Sequence, residues 1–316
     1  MVGGEAVDNC PTKQNKTKTA PKVAVLGGDT REVMVMQALL NKGWQVAAFG
    51  RPAAKLPQGV EFCKHSGLAL ADAAAVILPA PPLRDGGRLY NAEGLELTVN
   101  SDDFAQLPAQ TPILAGVVSP LLRQIGAAYK LKLIETLELD EIALPFAVAT
   151  AEGALALALT ATDDVLFKSQ ALIIGYGRLG KALAPRLQGL GMEVVVANRH
   201  AERLQQANLA GFTTVSWPSW PQAAQNSKFI FNTAPHLLLD ATVLSHLAKD
   251  TVIIDLAALP GGTDFTLAEQ LSLQAILASG LPGKYAPRFA GAIMAEFYPC
   301  LIEAAWLKNI VKNQKY

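Results

Sequence analysis

Residues 171–200 read ALIIGYGRLGKALAPRLQGLGMEVVVANRH: a β-branched run, a glycine-rich turn, a helix-compatible segment and a second β-branched run. Each glycine of the turn has its own task in a nucleotide-binding βαβ unit. Gly175 permits the tight turn, Gly177 lets a pyrophosphate approach the backbone, and Gly180 lets the helix pack on the strand. The helix that follows offers unpaired N–H groups at its first turn. Because strand, turn and helix agree, the stretch predicts a dinucleotide site.

The residues between these glycines are assigned to the same cofactor site, and they are Tyr176, Arg178 and Leu179. For Arg178 there are two interpretations, contact with the pyrophosphate or exposure to solvent. We expect Tyr176 to pack beside the adenine and to take no part in chemistry.

The end of the second strand indicates which dinucleotide binds. An acidic residue at that point would accept hydrogen bonds from the adenosine ribose and repel a 2′-phosphate. This chain instead has Asn198, followed by Arg199 and then by Arg203. Guanidinium groups make bidentate contacts to phosphate, so the sequence predicts NADP(H) rather than NAD(H). The alternative is a solvated arginine on a surface turn.

Two later strand ends should face the same crevice, because ligands of open α/β sheets bind at the carboxyl ends of the strands. The first carries Asn232, Thr233 and Pro235, and the second carries Asp255. We expect these residues to frame the nicotinamide. His236, which follows the first strand end, is more typical of a capping or solvent-facing histidine than of a base.

Composition narrows the class of protein. The chain has 316 residues, of which 51% are apolar and 17% charged, and its formal net charge is zero. It is long enough for about two domains and lacks the basic excess that attracts nucleic acid or anionic lipid. The cysteines and histidines do not fall at metal-site spacings, so no metal is predicted. No uninterrupted apolar run suggests a membrane span, and we expect a soluble, cytoplasmic protein.

The alternation of strands and helices predicts an α/β fold of two Rossmann-like, doubly wound parallel-sheet domains joined by long helices. We expect residues 1–21 to form a disordered, solvated tail. The N-terminal α/β domain is predicted over 22–145, with a helix at 287–316 packing back on it. The NADP-binding Rossmann domain is predicted over 146–286.

Strands are predicted where short β-branched or apolar runs lie between turn residues. In the first domain they fall at 22–28, 44–50, 74–78 and 112–118. In the second domain they fall at 170–174, 193–197, 213–216, 229–232, 252–256 and 274–277. A joining helix over 141–162 would carry Pro145 in its first turn, and Pro299 should kink or divide the last helix.

Four motifs carry a resemblance to a known family. They are VAVLGGDTRE at 23–32, ATAEGALALAL at 149–159, LAALPGGTDF at 256–265 and SGLPGKYAPRFAG at 279–291. Together they resemble the A subunit of dipicolinate synthase from spore-forming bacteria, over nearly all of the chain after residue 21. The chain departs from the family's usual NSIPTAEG, since residues 146–153 read FAVATAEG. No role of the family's Asn and Pro at that place is therefore carried over.

The resemblance implies a sporulation enzyme of the mother-cell cytoplasm that oxidises dihydrodipicolinate to dipicolinate. It implies NADP(H) as the cofactor, which agrees with the independent interpretation of Asn198 and Arg199. It also implies a partner, the flavoprotein-like B subunit of dipicolinate synthase. A homo-oligomer stays open, because one sequence does not reveal how many chains assemble.

A substrate with two carboxylates needs cations or N–H groups to hold it, in a cleft expected between the domains. In the first domain the candidates are Gly28, Asp29 and Arg31, at a strand end that lacks the third glycine of a dinucleotide turn. The alternative is a turn that only shapes the chain. In the second domain Lys284 and Arg288 lie four residues apart at the predicted start of the last helix, where both could face the cleft. The alternative for this pair is a solvated basic helix start.

Two further residues are assigned to catalysis. Thr263 follows a strand end and is a candidate to bind substrate. Glu152 lies in an otherwise apolar Ala/Leu segment, where burial would suit a proton acceptor; a surface glutamate on a polar stripe is the alternative.

Two other functions remain as alternatives. One is a two-domain dehydrogenase of another small acid, of the alanine or shikimate type. The other is a non-catalytic NADP(H)-binding protein that scaffolds or regulates a flavoprotein partner.

Overall fold

A computed structural model describes residues 20–79 and 83–313, without the side chains of Asp85 and of residues 308–313. The predicted tail at 1–21 therefore lies almost entirely outside the described residues. The chain divides into two compact units. Unit 1 comprises the residues up to Glu138 together with those from Gly291 onward, and unit 2 comprises Leu139–Ala290. The sequence places these boundaries at 145 and 287, a few residues away.

The strands of unit 1 are β1 Lys22–Leu26, β2 Gln45–Phe49, β3 Val60–Cys63, β4 Ala73–Ile77, β5 Arg88–Leu89, β6 Leu97–Thr98, β7 Pro112–Ala115 and β8 Lys132–Glu135. Its helices before the boundary at Glu138 are α1 Thr30–Asn41, α2 Ser66–Leu70 and α3 Pro120–Ala128. Short 3₁₀ segments at Ala53–Lys55, Asp85–Gly87, Ser101–Gln106 and Thr136–Glu138 complete it.

The main sheet of unit 1 is parallel, with the order β3-β2-β1-β4-β7-β8. The short strands β5 and β6 form a separate antiparallel hairpin. β1 and β4 are almost entirely buried, as strands covered on both faces should be. The sequence missed β3, β8 and the hairpin. β3 lies at the edge of the sheet and exposes two of its residues, so it has no continuous apolar run.

The strands of unit 2 are β9 Gln170–Ile174, β10 Glu193–Ala197, β11 Thr213–Val215, β12 Phe229–Asn232, β13 Val252–Asp255 and β14 Gln274–Leu277. The remaining helices of the described residues are α4 Asp140–Thr160, α5 Arg178–Gly189, α6 Ala201–Leu209, α7 Trp220–Gln225, α8 Ala241–Leu244, α9 Phe265–Gln270, α10 Leu281–Tyr285 and α11 Pro287–Asn313. A 3₁₀ segment lies at Trp217–Ser219.

The sheet of unit 2 is also parallel, with the order β11-β10-β9-β12-β13-β14. Both units therefore have the strand order of a doubly wound fold, in which the first strand lies at the centre and the chain reverses beside it. The predicted fold class is confirmed. Each strand predicted for unit 2 is present, with ends that agree within one residue.

Both faces of this second sheet are covered by apolar side chains. Along β9, Ala171 and Ile173 belong to the core on one face, while Leu172 and Ile174 belong to the core on the other. The side chains of a strand alternate between faces, so a sheet buried on both sides needs an unbroken apolar run. This is why ALII could be recognised as a central strand.

The prediction that Pro145 lies in the first turn of its helix is wrong, because α4 begins at Asp140 and Pro145 lies inside the helix. α11 continues through Pro299, so of the two predicted effects of this proline division is wrong and a kink stays a prediction. In the described part of the chain, Asp140–Thr160 and Pro287–Leu307 are long and apolar enough to cross a membrane by length and composition alone. Core helices pass the same test, and 50% of the first helix's apolar window is buried inside the protein.

Candidate functional site

The turn after β9 has the geometry that its glycines predict. Gly175 has φ +105°, and a side chain there would overlap the hydroxyl of Thr233. That hydroxyl donates a hydrogen bond to the Ile174 carbonyl, 2.9 Å away, and holds the loop after β12 against the turn. A side chain at Gly180 would overlap the Gly175 carbonyl. Both positions therefore require glycine for close packing of the backbone.

Gly177 differs, because no atom outside its own neighbourhood lies within 4 Å of the place that a side chain would occupy. It is the N-cap of α5, and no side chain caps the helix there. The first turn of α5 contains no acidic residue. An uncapped helix end with unfilled space before it fits the phosphates of a dinucleotide.

A cavity of about 480 Å³ opens at this helix end, and we call it the cationic cavity. It is lined by Asp140, Leu144, Gly177, Arg178, Lys181 and Arg203. Three of these residues are cations. Arg178, for which the sequence left two interpretations, lines the cavity, and its Nε donates to Asp140 Oδ1 at 2.7 Å.

The end of β10 carries the residues predicted to select the cofactor. Asn198 is buried, and its Oδ1 accepts a hydrogen bond from the backbone N–H of His200 at 2.9 Å, which shapes the turn. Arg199 is exposed, and its Nε lies 3.1 Å from His200 Nε2. Arg203 is exposed as well and reaches the cationic cavity from α6. The arginines are accessible to an anion, whereas the Asn198 side chain supports the turn.

Tyr176 belongs to the protein core. It is only 4% exposed, and its ring packs edge-on against Phe212, with 6.2 Å between centroids. Burial raises the pKa of its hydroxyl. The prediction that this side chain packs beside adenine is wrong, because another aromatic ring of the chain already covers it. Leu179 is partly buried and packs against the same core.

The loops after β12 and β13 are tied together by one buried carboxylate. Asp255 is fully buried and accepts hydrogen bonds from Asn232 Nδ2 at 3.1 Å and from Thr263 Oγ1 at 2.6 Å. It also accepts from the N–H groups of Ala257 at 3.1 Å and Gly262 at 2.8 Å. Four donors satisfy the carboxylate and fix the loop 255–263 on the loop after β12.

The hydrogen bonds to Asp255 contradict the prediction for Thr263. The residue is 6% exposed and its hydroxyl donates to Asp255, so it holds a loop and does not face a substrate. Asn232 is likewise fully buried, and its amide bonds the backbone of Ala234 through both Oδ1 and Nδ2. Of the predicted residues at this edge, Pro235 is the exposed one. Asn232, Thr233 and Asp255 would contribute to a cofactor site by shaping its loops.

Glu152 is not a buried acid. Its side chain is 60% exposed on α4 and lies 3.5 Å from Arg186 Nη2, so the surface alternative describes it. The prediction that burial prepares it to accept a proton is wrong, because the small residues of α4, such as Gly153, take the packed face.

Lys284 and Arg288 lie on different helices. Lys284 is in the last turn of α10, where a cation is favourable to the helix dipole, and Arg288 is in the first turn of α11. The prediction that both residues lie at the start of the last helix is therefore wrong for Lys284 and confirmed for Arg288. Both side chains are exposed, and neither forms an ion pair within the described residues.

In unit 1, the charged side chains of the turn after β1 pair with each other. Asp29 caps α1 and accepts from the Arg31 guanidinium through Nε, at 2.9 and 3.1 Å, and through Nη2, at 2.7 Å. Burial alone would raise the pKa of Asp29, but the hydrogen bonds and charge of Arg31 hold it below its usual value. Arg31 is 2% exposed. The prediction that Arg31 binds a substrate carboxylate is wrong, because the chain's own carboxylate already occupies it.

The same turn is covered by the hairpin region. The Gly28 N–H donates to the Tyr90 carbonyl at 2.8 Å, and the Gly28 carbonyl accepts from the Ala92 N–H at 3.0 Å. Below it lies Glu32, fully buried, whose Oε2 accepts from the Asp29 N–H at 2.7 Å. Burial raises the pKa of Glu32 to about 7. Gly28 therefore has no backbone group left for a ligand.

Three residues of interest were missed from the sequence. Glu32 completes a capping box with Asp29, a signal that DTRE at 29–32 carries. Lys181 lies three residues after Arg178, on the same side of α5. Asp140 contacts Arg178, which lies 38 residues later in the chain, and no local sequence pattern predicts such a contact.

Comparison with known proteins gives the family. Residues 22–137 match the model of the N-terminal domain of the dipicolinate synthase A subunit. The chain is 31% identical over 279 residues to the A subunit of dipicolinate synthase from Bacillus subtilis, covering 88% of this chain and 94% of that protein. This chain belongs to the family of dipicolinate synthase A subunits. Residues 156–271 match a second model, the NAD binding domain of D-isomer specific 2-hydroxyacid dehydrogenases, so unit 2 is a nicotinamide-dinucleotide-binding domain of an oxidoreductase fold.

Solved structures of the family have the same fold. The A subunit of dipicolinate synthase from Bacillus halodurans is 27% identical with a TM-score of 0.83, covering 90% of this chain and 98% of that one. The A chain of dipicolinate synthase from Bacillus subtilis is 30% identical with a TM-score of 0.81, covering 93% and 100%. The names of these relatives describe one component of a synthase.

Proposed function

We propose that this chain oxidises dihydrodipicolinate to dipicolinate with NADP⁺ as its cofactor. The cofactor part is supported by the chain after β10, where Arg199 and Arg203 are exposed and Arg203 lines the cavity at the uncapped start of α5. The substrate part rests on the family, since the B. subtilis relative bears the name of a dipicolinate synthase A subunit.

The preference for NADP⁺ follows from charge at the adenosine end of the site. A carboxylate after β10 would repel a 2′-phosphate, and this chain has Asn198 there instead. Each charge-assisted hydrogen bond from arginine to phosphate contributes about 1.5–3 kcal/mol. The buried Asn198 amide fixes the turn from which Arg199 projects.

Conversion of a dihydropyridine ring to a pyridine removes a hydride and a proton, and aromatisation drives the reaction. Bound NADP⁺ would supply the hydride acceptor. The residues of the chain then have mainly to bind and orient the substrate, which contributes roughly 7–11 kcal/mol in well-aligned reactions. Lys284 and Arg288 are the proposed carboxylate clamps, because both are exposed cations without an ion pair among the described residues.

The same proposal includes a partner and a location. The flavoprotein-like B subunit of dipicolinate synthase is the proposed partner, since the family relatives are named as one component of a synthase. The proposed location is the mother-cell cytoplasm of a sporulating bacterium.

Turnover of the purified full chain tests this function. Freshly generated dihydrodipicolinate is mixed with NADP⁺ or NAD⁺, with the chain alone and with the B subunit, and the absorbance of the pyridine product is followed. We expect product formation that requires this chain and is faster with NADP⁺. Equal turnover by the B subunit without this chain would instead support a scaffold role.

The proposed clamp has its own test. Arg288→Ala should raise the KM for substrate and leave NADP⁺ binding unchanged. Glu296→Ala, an exposed change on the same helix, is the matched control. Unchanged kinetics of Arg288→Ala would exclude the clamp.

A further inference from the structure

The described lining of the cationic cavity includes one carboxylate, and that carboxylate comes from outside the glycine motif. Asp140 lies in the first turn of α4, and its Oδ1 accepts from Arg178 Nε at 2.7 Å. Among the described residues that line the cavity, Asp140 is the single acid beside three cations.

The cations stand where a helix least favours them. Arg178 and Lys181 occupy the first turn of α5, which has no acidic residue and no side-chain cap. Positive charges at this end oppose the helix dipole, so an anion nearby must offset them. Asp140 provides that negative charge from the neighbouring helix α4.

We propose that Asp140 is a placeholder for the cofactor pyrophosphate: it pairs with Arg178 when no dinucleotide is bound and yields Arg178 to the phosphates on binding. This inference rests on the proposed function, because it takes the cationic cavity as the pyrophosphate site. Gly177, with open space at its Cβ position, lines the same cavity and marks the place of close backbone approach.

The exposure of the pair makes this exchange easy. The Asp140 side chain is 67% exposed and that of Arg178 is 40% exposed, so Asp140 keeps its hydration when it releases Arg178. An exposed pair of this kind stabilises weakly. A doubly charged pyrophosphate, held also by helix N–H groups, competes successfully for the same guanidinium.

The placeholder has effects of opposite sign on stability and on binding. Asp140→Asn removes the pairing charge, so the nucleotide-free chain should melt at a slightly lower temperature. The same change removes a competitor of the phosphates, so dinucleotide affinity should rise about three-fold. The pyrophosphate is common to both cofactors, and the gain should therefore be equal for NADP⁺ and NAD⁺.

Glu141 offers a matched control. It is exposed in the same first turn of α4 and does not line the cationic cavity. Glu141→Gln removes one negative charge at the same helix end, so it controls for the helix dipole and for net charge. Its dinucleotide affinity should equal that of the wild type.

The experiment is calorimetric titration of the full-length wild type, D140N, E141Q, R178Q and D140N/R178Q with NADP⁺ and with NAD⁺. We expect D140N to bind both nucleotides about three-fold more tightly, and this gain to vanish in the R178Q background. D140N affinity equal to or weaker than wild type would overturn the inference alone. Tightening confined to NADP⁺ would overturn the assignment to the pyrophosphate. A wild type that binds neither nucleotide would overturn the proposed function and this inference together.

Discussion

The two units share one strand order but use the turn after their central strand in opposite ways. In unit 2 the turn ends in Gly177, which has open space before it and an uncapped helix behind it. In unit 1 the corresponding N-cap is Asp29, whose side chain caps the helix, and Gly28 before it has both its N–H and its carbonyl bonded, to residues 90 and 92. The doubly wound topology places a potential site in each unit, but a ligand requires unpaired backbone groups at the turn.

The two turns also differ in charge: that of unit 1 is neutralised internally, and that of unit 2 has an excess of positive charge. In unit 1, Arg31 is paired with Asp29 and buried, whereas in unit 2 the described lining of the cationic cavity combines Arg178, Lys181 and Arg203 with one exposed carboxylate, that of Asp140. An internally neutralised turn stabilises its own helix. A turn with excess positive charge binds an anion from outside.

Gly177→Val should have the largest effect, and it would break the open turn of unit 2. The new side chain would fill the place of the phosphates and separate them from the helix N–H groups. Loss of two charge-assisted hydrogen bonds corresponds to roughly a thousand-fold weaker NADP⁺ binding, measured by calorimetry. Stability should barely change, because nothing lies within 4 Å of the added Cβ. Gly189→Ala, also in open space on α5, is the control; retained affinity in Gly177→Val would refute the open-turn account.

Glu32→Gln tests the closed turn of unit 1 through pH. Burial raises the pKa of Glu32 from 4.5 to about 7, so the folded state favours the protonated acid. The favourable contribution of protonated Glu32 to the free energy of unfolding is complete below pH 4.5. It is lost as the pH rises to about 7, which lowers the free energy of unfolding by on the order of 3 kcal/mol. Urea unfolding between pH 4.5 and 8 should show that decline in the wild type and a flatter profile in Glu32→Gln. Parallel profiles would contradict the assignment, and NADP⁺ affinity should be the same in both proteins.

Arg199→Ala would sharpen the assignment of the cofactor to unit 2. Loss of one charge-assisted contact to the 2′-phosphate should weaken NADP⁺ binding about thirty-fold and leave NAD⁺ almost unchanged. Arg123→Ala in unit 1, where the arginine pairs with Glu135 on the surface, is the matched control. An equal loss for both nucleotides would remove the argument from charge.

Thr263→Val should have the smallest effect, on stability, because it removes one of four donors to the buried Asp255 carboxylate. The expected loss is about 1–2 kcal/mol in urea unfolding. Thr263→Ser keeps the hydroxyl and should retain most of the stability. If instead both variants were fully stable and failed only in substrate binding, the substrate-binding role that the sequence predicted for Thr263 would be supported.

Sequence and structure agree best where the signal is local. The strands around the glycine turn were predicted to the residue, because ALII and VVVA are unbroken apolar runs between turn residues. The edge strand β3 and the hairpin were missed. β5 and β6 have two residues each, too few to carry a period.

Site residues were harder, because burial and pairing depend on distant parts of the chain. Arg31 and Glu152 have the right chemistry for their predicted roles, but Arg31 is enclosed and Glu152 is exposed. Nothing in their local sequence distinguishes the two cases. The capping box at 29–32 was the one local signal that Asp29 serves the helix.

The central claim is that unit 2 binds a dinucleotide with a cationic pocket for an extra phosphate. Titration of the purified full chain with NADP⁺ and with NAD⁺, under one buffer and one salt concentration, tests it most directly. We expect NADP⁺ to bind at least about ten-fold more tightly than NAD⁺. Equal affinities, tighter NAD⁺ binding or no binding of either nucleotide would contradict it.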